Sequence, residues 1–319
     1  MINFNLPGLY EHFELNSFFL HYYTIHPEYF NPGVKIASVF GNFPYCTWDG
    51  GRNFIYYDQV TKEKIIDVKN MYNSYHVNPR FVFTNPVLEE RDLHDRFCNT
   101  ILNLFPEDNN EIVVNSELLK TYLQENYSNF KLISSTTKCI TNFDKALEEI
   151  ANPDYYQVCI DYNLNKNIEF LESIPKELRS KVEILVNAIC PPGCPHRKLH
   201  YSETGQAHLT YLKDRYSVAH ECKIDQELNH PKRLGQGNNL SFEEIKEYHK
   251  MGFQHFKLEG RTLPSGTMFA NYLYYLIKPE YHFFLIETAI KKQLFLNTYN
   301  DPETFVFTGE KDRAKIGFE

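Results

Sequence analysis

The sequence predicts an α/β fold: a TIM-like (β/α) barrel of seven or eight mainly parallel strands, formed by residues 1–319 as a single domain. Three observations carry this. Short β-branched runs recur along the chain, each leads into a stretch of helical period, and the runs are nearly continuously apolar, as strands covered on both faces are.

The candidate strands are VKIASVF (34–40), RFVFTN (80–85), EIVVNS (111–116), KLISST (131–136), YQVCIDYN (156–163), VEILVNAIC (182–190) and FQHFKLEG (253–260). Between them the apolar spacing predicts helices over 61–75, 88–105, 116–127, 142–151, 167–181 and 241–252. This rhythm suits a closed barrel, with a doubly wound open sheet as the alternative. Two segments interrupt it: PYCTWDGGRNF (44–54), and a cysteine-bearing insert at about 190–240 with little periodicity. Long inserts of this kind in a compact domain are usually functional. Residues 268–295 predict two C-terminal helices broken at Pro279, and TFVFTGEKDRAKIGFE (304–319) a short strand and tail.

Composition narrows the function classes. With 42% hydrophobic and 23% charged residues the chain is globular, neither disordered nor fibrous. A net charge of −8 argues against strong bulk nucleic-acid binding and leaves only a local basic groove open. The N-terminus lacks a basic region followed by an apolar one, and no run approaches roughly 18 apolar residues. The expectation is a cytoplasmic protein with no membrane association. Its seven cysteines then read as reduced thiols or metal ligands.

In a parallel barrel, reactive groups gather at the C-terminal ends of the strands. The polar residues there are Asn42, Asn85, Asn115, Ser135 to Thr137, Asp161, Asn187 and Cys190, which suit a polar substrate pocket. Capping of the following helices is the plainer role for such residues. After the sixth run, Cys190 and Cys194 are joined by Pro191, Pro192 and Gly193, and Cys222 follows. Soft thiolates favour zinc, copper(I) or iron–sulfur clusters. The paired spacing of a structural zinc site is absent, so three irregularly spaced thiols suit a cluster whose fourth ligand comes from elsewhere. Cys139 is the preferred fourth ligand and Cys46 the alternative, whereas Cys98 and Cys159 read as buried thiols.

Arg197 and His200 stand beside these thiols with His196 and Lys198, as a basic patch able to bind an anionic substrate. HFKLEGR (255–261) sets Lys257, Glu259 and Arg261 on alternate positions of one strand and hence on one face. Charges facing a barrel interior are costly unless paired or bound to ligand, which makes these three the candidate catalytic residues.

Taken together, LVNAICPPGCP (185–195), a later cysteine, and a helix running into MGFQHFKLEGR (251–261) resemble the peptidase U32 family of collagenase-like proteases. The resemblance covers residues 110–275. It implies a TIM-like barrel with a [4Fe–4S] cluster held by four cysteines, and hydroxylation of ubiquinone precursors or RNA bases in place of the peptidase activity in the name. Cys190, Cys194 and Cys222 match cluster positions, and Lys257, Glu259 and Arg261 match the signature strand. The cysteine that members often carry before that helix has no counterpart in GQGNNLSFEEI (235–245).

Three function classes follow. The first is a cluster enzyme acting on a small aromatic or nucleobase-containing substrate, with the tyrosines and Trp48 offering stacking surfaces. The second is a zinc-dependent hydrolase or peptidase, for which neither H-E-x-x-H nor G-x-S-x-G occurs. The third is a non-catalytic, cluster-bearing subunit docked on a protein partner.

Overall fold

The structure is a computed structural model and describes residues 1–52, 60–210, 237–292 and 294. Eight parallel strands close into one barrel in chain order: β1 (Ile2–Pro7), β2 (Val34–Gly41), β3 (Asn78–Phe83), β4 (Glu111–Val114), β5 (Lys131–Ser134), β6 (Gln157–Cys159), β7 (Val182–Leu185) and β8 (His255–Lys257). The last strand pairs with the first through Asn3↔His255 and Asn5↔Lys257. The expected TIM-like barrel is therefore present, with strand β1 added at its start. INFNLP alternates asparagine with apolar residues and has no β-branched run beyond Ile2.

The helices surround the barrel: α1 (Phe13–Ile25), α2 (Lys62–Ser74), α3 (Arg96–Leu104), α4 (Glu117–Asn126), α5 (Phe143–Ala151), α6 (Ile168–Ser173), α7 (Arg197–Thr210), α8 (Phe242–Met251), α9 (Ser265–Leu276) and α10 (His282–Lys291). Local chemistry sets their starts. Thr61, Ser116, Asn142 and Ser241 each accept a hydrogen bond from a first-turn backbone N–H, and Ser241 with Glu244 completes a capping box. The helix expected over 88–105 is divided: Asp95 caps Cys98 N at 2.9 Å and begins α3 after a 3₁₀ turn at Glu90–His94. That over 167–181 divides at Pro175, since proline cannot donate to a continuing helix. The C-terminal pair breaks at Pro279 as the sequence predicts.

Two strands are shorter than their apolar runs. Strand β7 ends at Leu185 and β8 at Lys257, so Asn187, Cys190, Glu259 and Arg261 lie beyond the strands, not on them. The expected alternation of Lys257, Glu259 and Arg261 along one strand is thereby corrected. The insert after β7 is not without structure either: its described part forms α7, which buries Arg197, Tyr201, Thr204, Gly205 and His208. Those positions are spaced as one helical face. Residues 304–319 lie outside the described residues.

The inside of the barrel is layered. A polar layer crosses it: Arg80 donates to Glu111 at 2.7 Å, to Glu183 at 2.7 and 2.8 Å, and to Gln157 at 3.0 Å. Asn5 extends this layer to Glu183 at 3.1 Å and accepts from Ser38 at 2.7 Å. One residue pair nearer the C-terminal ends, Phe40, Val82, Val113 and Ile133 form an apolar floor. The main core lies outside, between strands and helices.

Candidate functional site

A cleft opens above this floor at the C-terminal mouth of the barrel. Its base is Phe40, Val82, Leu185 and Lys257; its walls include Ser135 to Thr137, Tyr162, Cys190, Tyr201, Glu259 and Arg52. Apolar surface with a few convergent polar groups is the usual form of a small-molecule site, and the C-terminal face is where barrels carry out chemistry.

Lys257 is the unusual member. Its ammonium lies 4.1 Å from the centre of the Phe40 ring, and among the described residues no carboxylate pairs with it. Burial holds its pKa below the ordinary lysine range; Glu183 and Cys159 oppose that shift, and the positive charges of Arg80 and Arg261 add to it. Glu183 is close, but its oxygens already accept from Arg80 and Asn5.

Glu259 pairs with Arg52 and accepts from Ile189 N at 3.1 Å. Arg261 also reaches the cleft wall, but its fork is engaged by Asp49 at 2.7 and 2.9 Å, with Glu11 at 3.8 Å. It therefore braces the loop after β2 against the end of β8. Arg197 is likewise occupied: its guanidinium pairs with Asp161 at 2.8 Å, donates to Thr136 O at 2.9 Å and lies 4.1 Å over the Tyr162 ring. It fastens α7 over the ends of β5 and β6. Arg52, inside 44–54 and not among the residues singled out from the sequence, also lines the cleft, where it pairs with Glu259 and donates to Gly51 O at 2.8 Å. Its signal was the Gly50-Gly51 pair before it: a Cβ on Gly50 would meet Thr84 O at 2.6 Å, so only glycine lets this loop fold over the mouth.

The asparagines at the strand ends act as clasps. Asn42 donates to Val82 O at 2.6 Å and accepts from Val82 N at 3.0 Å; Asn187 does the same with Glu259 O and N at 2.9 and 2.6 Å. Asn85 donates to Thr47 O and Gly205 O, and Asn115 to Thr137 Oγ1. None of the four lines the cleft. They hold the loops that do. Asp161 caps Asn163 N and pairs with Arg197, and His200 stacks on Tyr201 with ring centres 6.3 Å apart. Trp48 is no stacking platform for a ligand. It is fully buried against Phe83 and Tyr122, with its indole N–H donating to Asp92 O at 2.7 Å.

Of the candidate metal ligands, Cys190 lines the cleft and Cys139 lies near enough for the two charges to act on each other. Burial raises the Cys139 pKa and Arg197 opposes it. Cys194 is half-buried in the Pro-Pro-Gly turn, where Gly193 takes a left-handed φ of 65° and donates to Asn163 Oδ1 at 2.9 Å. Cys222 lies outside the described residues. Cys46 is not at the cleft; its sulfur meets that of Cys98 at 3.1 Å in the core. Cys159 is buried, as expected. Among the described residues, no three His, Cys, Asp or Glu side chains converge as a metal ion requires. These residues alone thus do not make a cluster or zinc site.

No described helix is long and apolar enough to cross a membrane. No family model matches the chain. It is similar to an uncharacterized protease of Methanocaldococcus jannaschii, with 25% identity over 147 residues, and it spans 41% of that protein's length and 45% of its own. Among solved structures it is similar to the U32 peptidase Mk0906, at 15% identity and a TM-score of 0.48, over 82% of this chain and 94% of that one.

Proposed function

We propose that this barrel is a U32-like enzyme that performs a hydroxylation or related redox modification on an aromatic or nucleobase group bound in the cleft. The observation that carries the proposal is the cleft itself, in which one thiol, one amine, one carboxylate and two phenol rings surround a single space. Tyr162 and Tyr201 offer faces for a planar ring. Lys257 offers N–H donors to a polar substituent, and Glu259, on the cleft wall and paired with Arg52, exchanges a proton with bound substrate. The apolar floor of Phe40, Val82 and Leu185 keeps water from the buried end of the ligand.

A [4Fe–4S] cluster, held by Cys190, Cys194, Cys222 and Cys139, is part of this proposal and rests on the sequence resemblance. When bound it would supply electrons. A zinc-dependent hydrolase is the second reading, favoured by the protease and peptidase names of the two similar proteins. Purification without oxygen, followed by absorption near 400 nm and measurement of iron, sulfide and zinc, separates the two. A brown protein carrying iron and sulfide is expected; a colourless, iron-free, zinc-loaded protein overturns the cluster reading and favours the hydrolase.

A further inference from the structure

We propose that Lys257 is a nucleophilic amine, which forms an imine with the aldehyde or ketone group of a molecule bound in the cleft. The inference rests on the cleft being the binding site and is independent of any cluster. Four observations carry it.

Lys257 is the last residue of β8, at the C-terminal face where barrels present reactive groups. Its side chain is 7% exposed, and that exposure faces the cleft. A structural lysine at such depth would be expected to pair with a carboxylate, yet Glu183, the carboxylate whose charge acts on it most, is bound by Arg80 and Asn5 and makes no ion pair with it. The contact it does make, with the face of Phe40, leaves the nitrogen beside an apolar wall.

The charged and titratable groups around it are Glu183 on β7, Cys159 on β6, Arg80 on β3 and Arg261 beyond β8. Desolvation outweighs the favourable charges and lowers the ammonium pKa, which enlarges the fraction of free amine at neutral pH. Desolvation in an apolar pocket is how lysine nucleophiles are activated.

The chemistry closes without a co-reactant. The lone pair of the neutral amine forms an N–C bond to the carbonyl carbon, and the C=O π pair moves to oxygen, which takes a proton as nitrogen loses one. The oxygen of the resulting carbinolamine takes a second proton and leaves as water as the C–O bond breaks, the nitrogen lone pair forms the C=N bond, and the nitrogen gives up its remaining proton in return. Nothing is oxidised or reduced. Water departs through the open mouth.

The test uses the full chain and glycolaldehyde with cyanoborohydride, which reduces any imine to a stable amine. After brief labelling at pH 7, peptides are mapped by mass and Lys257 is compared with Lys250 and Lys291, each 71% exposed. Lys257 is expected to be alkylated several-fold faster than either, because its lowered pKa leaves more of it as free amine. The rate at Lys257 should also level off at a lower pH than the rate at Lys250. An unmodified Lys257, or one that reacts no faster than Lys250, overturns the proposal. Iron and sulfide measured on the same sample report on the redox reading alone, so the two can fail separately.

Discussion

Arg80 and Glu183 meet at 2.7 Å inside the barrel, on strands β3 and β7, in contact across a sequence separation of 103 residues. Glu111, Gln157 and Asn5 complete the layer, and the cleft is built on top of it. Two carboxylates share one guanidinium there, and both are buried. Arg80→Met should therefore leave two buried charges without their partner and cost about 3–5 kcal/mol in chemical denaturation. The triple change with Glu111→Gln and Glu183→Gln removes those charges and should recover much of the loss.

Arg197 is the fastening of α7. It replaces hydration with Asp161, Thr136 O and the Tyr162 ring, so Arg197→Ala should free the helix from the barrel mouth. Limited proteolysis is expected to cut within 197–210 in the variant and to spare that segment in the parent. Arg197→Lys should not restore protection, because an ammonium can neither reproduce the planar fork nor stack in the same way.

Glu11 gives stability a pH dependence. Burial raises its pKa from 4.5 to about 7, with Arg261 opposing the shift and Asp49 adding to it. Between those values the folded chain holds a proton that the unfolded chain has released, so this group makes stability fall as pH rises through the window. With 18% of the Glu11 side chain exposed, the effect is of the order of 1 kcal/mol. Denaturation of Glu11→Gln at pH 5 and pH 7 should show a smaller difference than in the parent.

The barrel was legible because strands covered on both faces are mostly apolar and β-branched, and seven of the eight runs keep that character despite Arg80, Glu111, Gln157 and Glu183 within them. Strand β1 escaped because Asn3 and Asn5 interrupt its pattern, and Asn5 is polar for a reason that lies in Glu183 and Ser38, far along the chain. Helix α7 escaped for a related reason. Its buried face is spaced as a helix, but Arg197, Thr204, Gly205 and His208 make it polar, and hydrophobic periodicity is silent about such a face. At Gly205 the cause is close approach: a Cβ there would lie 2.3 Å from Asn85 Oδ1.

The site was legible in part. Lys257, Glu259, Arg261 and Cys190 do meet at one cleft, as the segments flanking them suggested. Residue type alone could not separate ligand-facing groups from those already satisfied. Asn42 and Asn187 have the same chemistry as a substrate amide reader, and only the neighbouring backbone shows that their donors and acceptors are taken. Arg261 and Arg197 are equally occupied, and Arg52, which also lines the cleft, is paired with Glu259.

On the proposed function, the thiol chemistry of this chain belongs to the cleft at Cys190 and not to the core pair of Cys46 and Cys98. The direct measurement is iron and sulfide per chain in anaerobically purified Cys190→Ser and Cys46→Ser, prepared side by side with the parent. Cys190→Ser should lack iron and absorption near 400 nm while Cys46→Ser carries both. Full iron in Cys190→Ser, or loss only in Cys46→Ser, would contradict it.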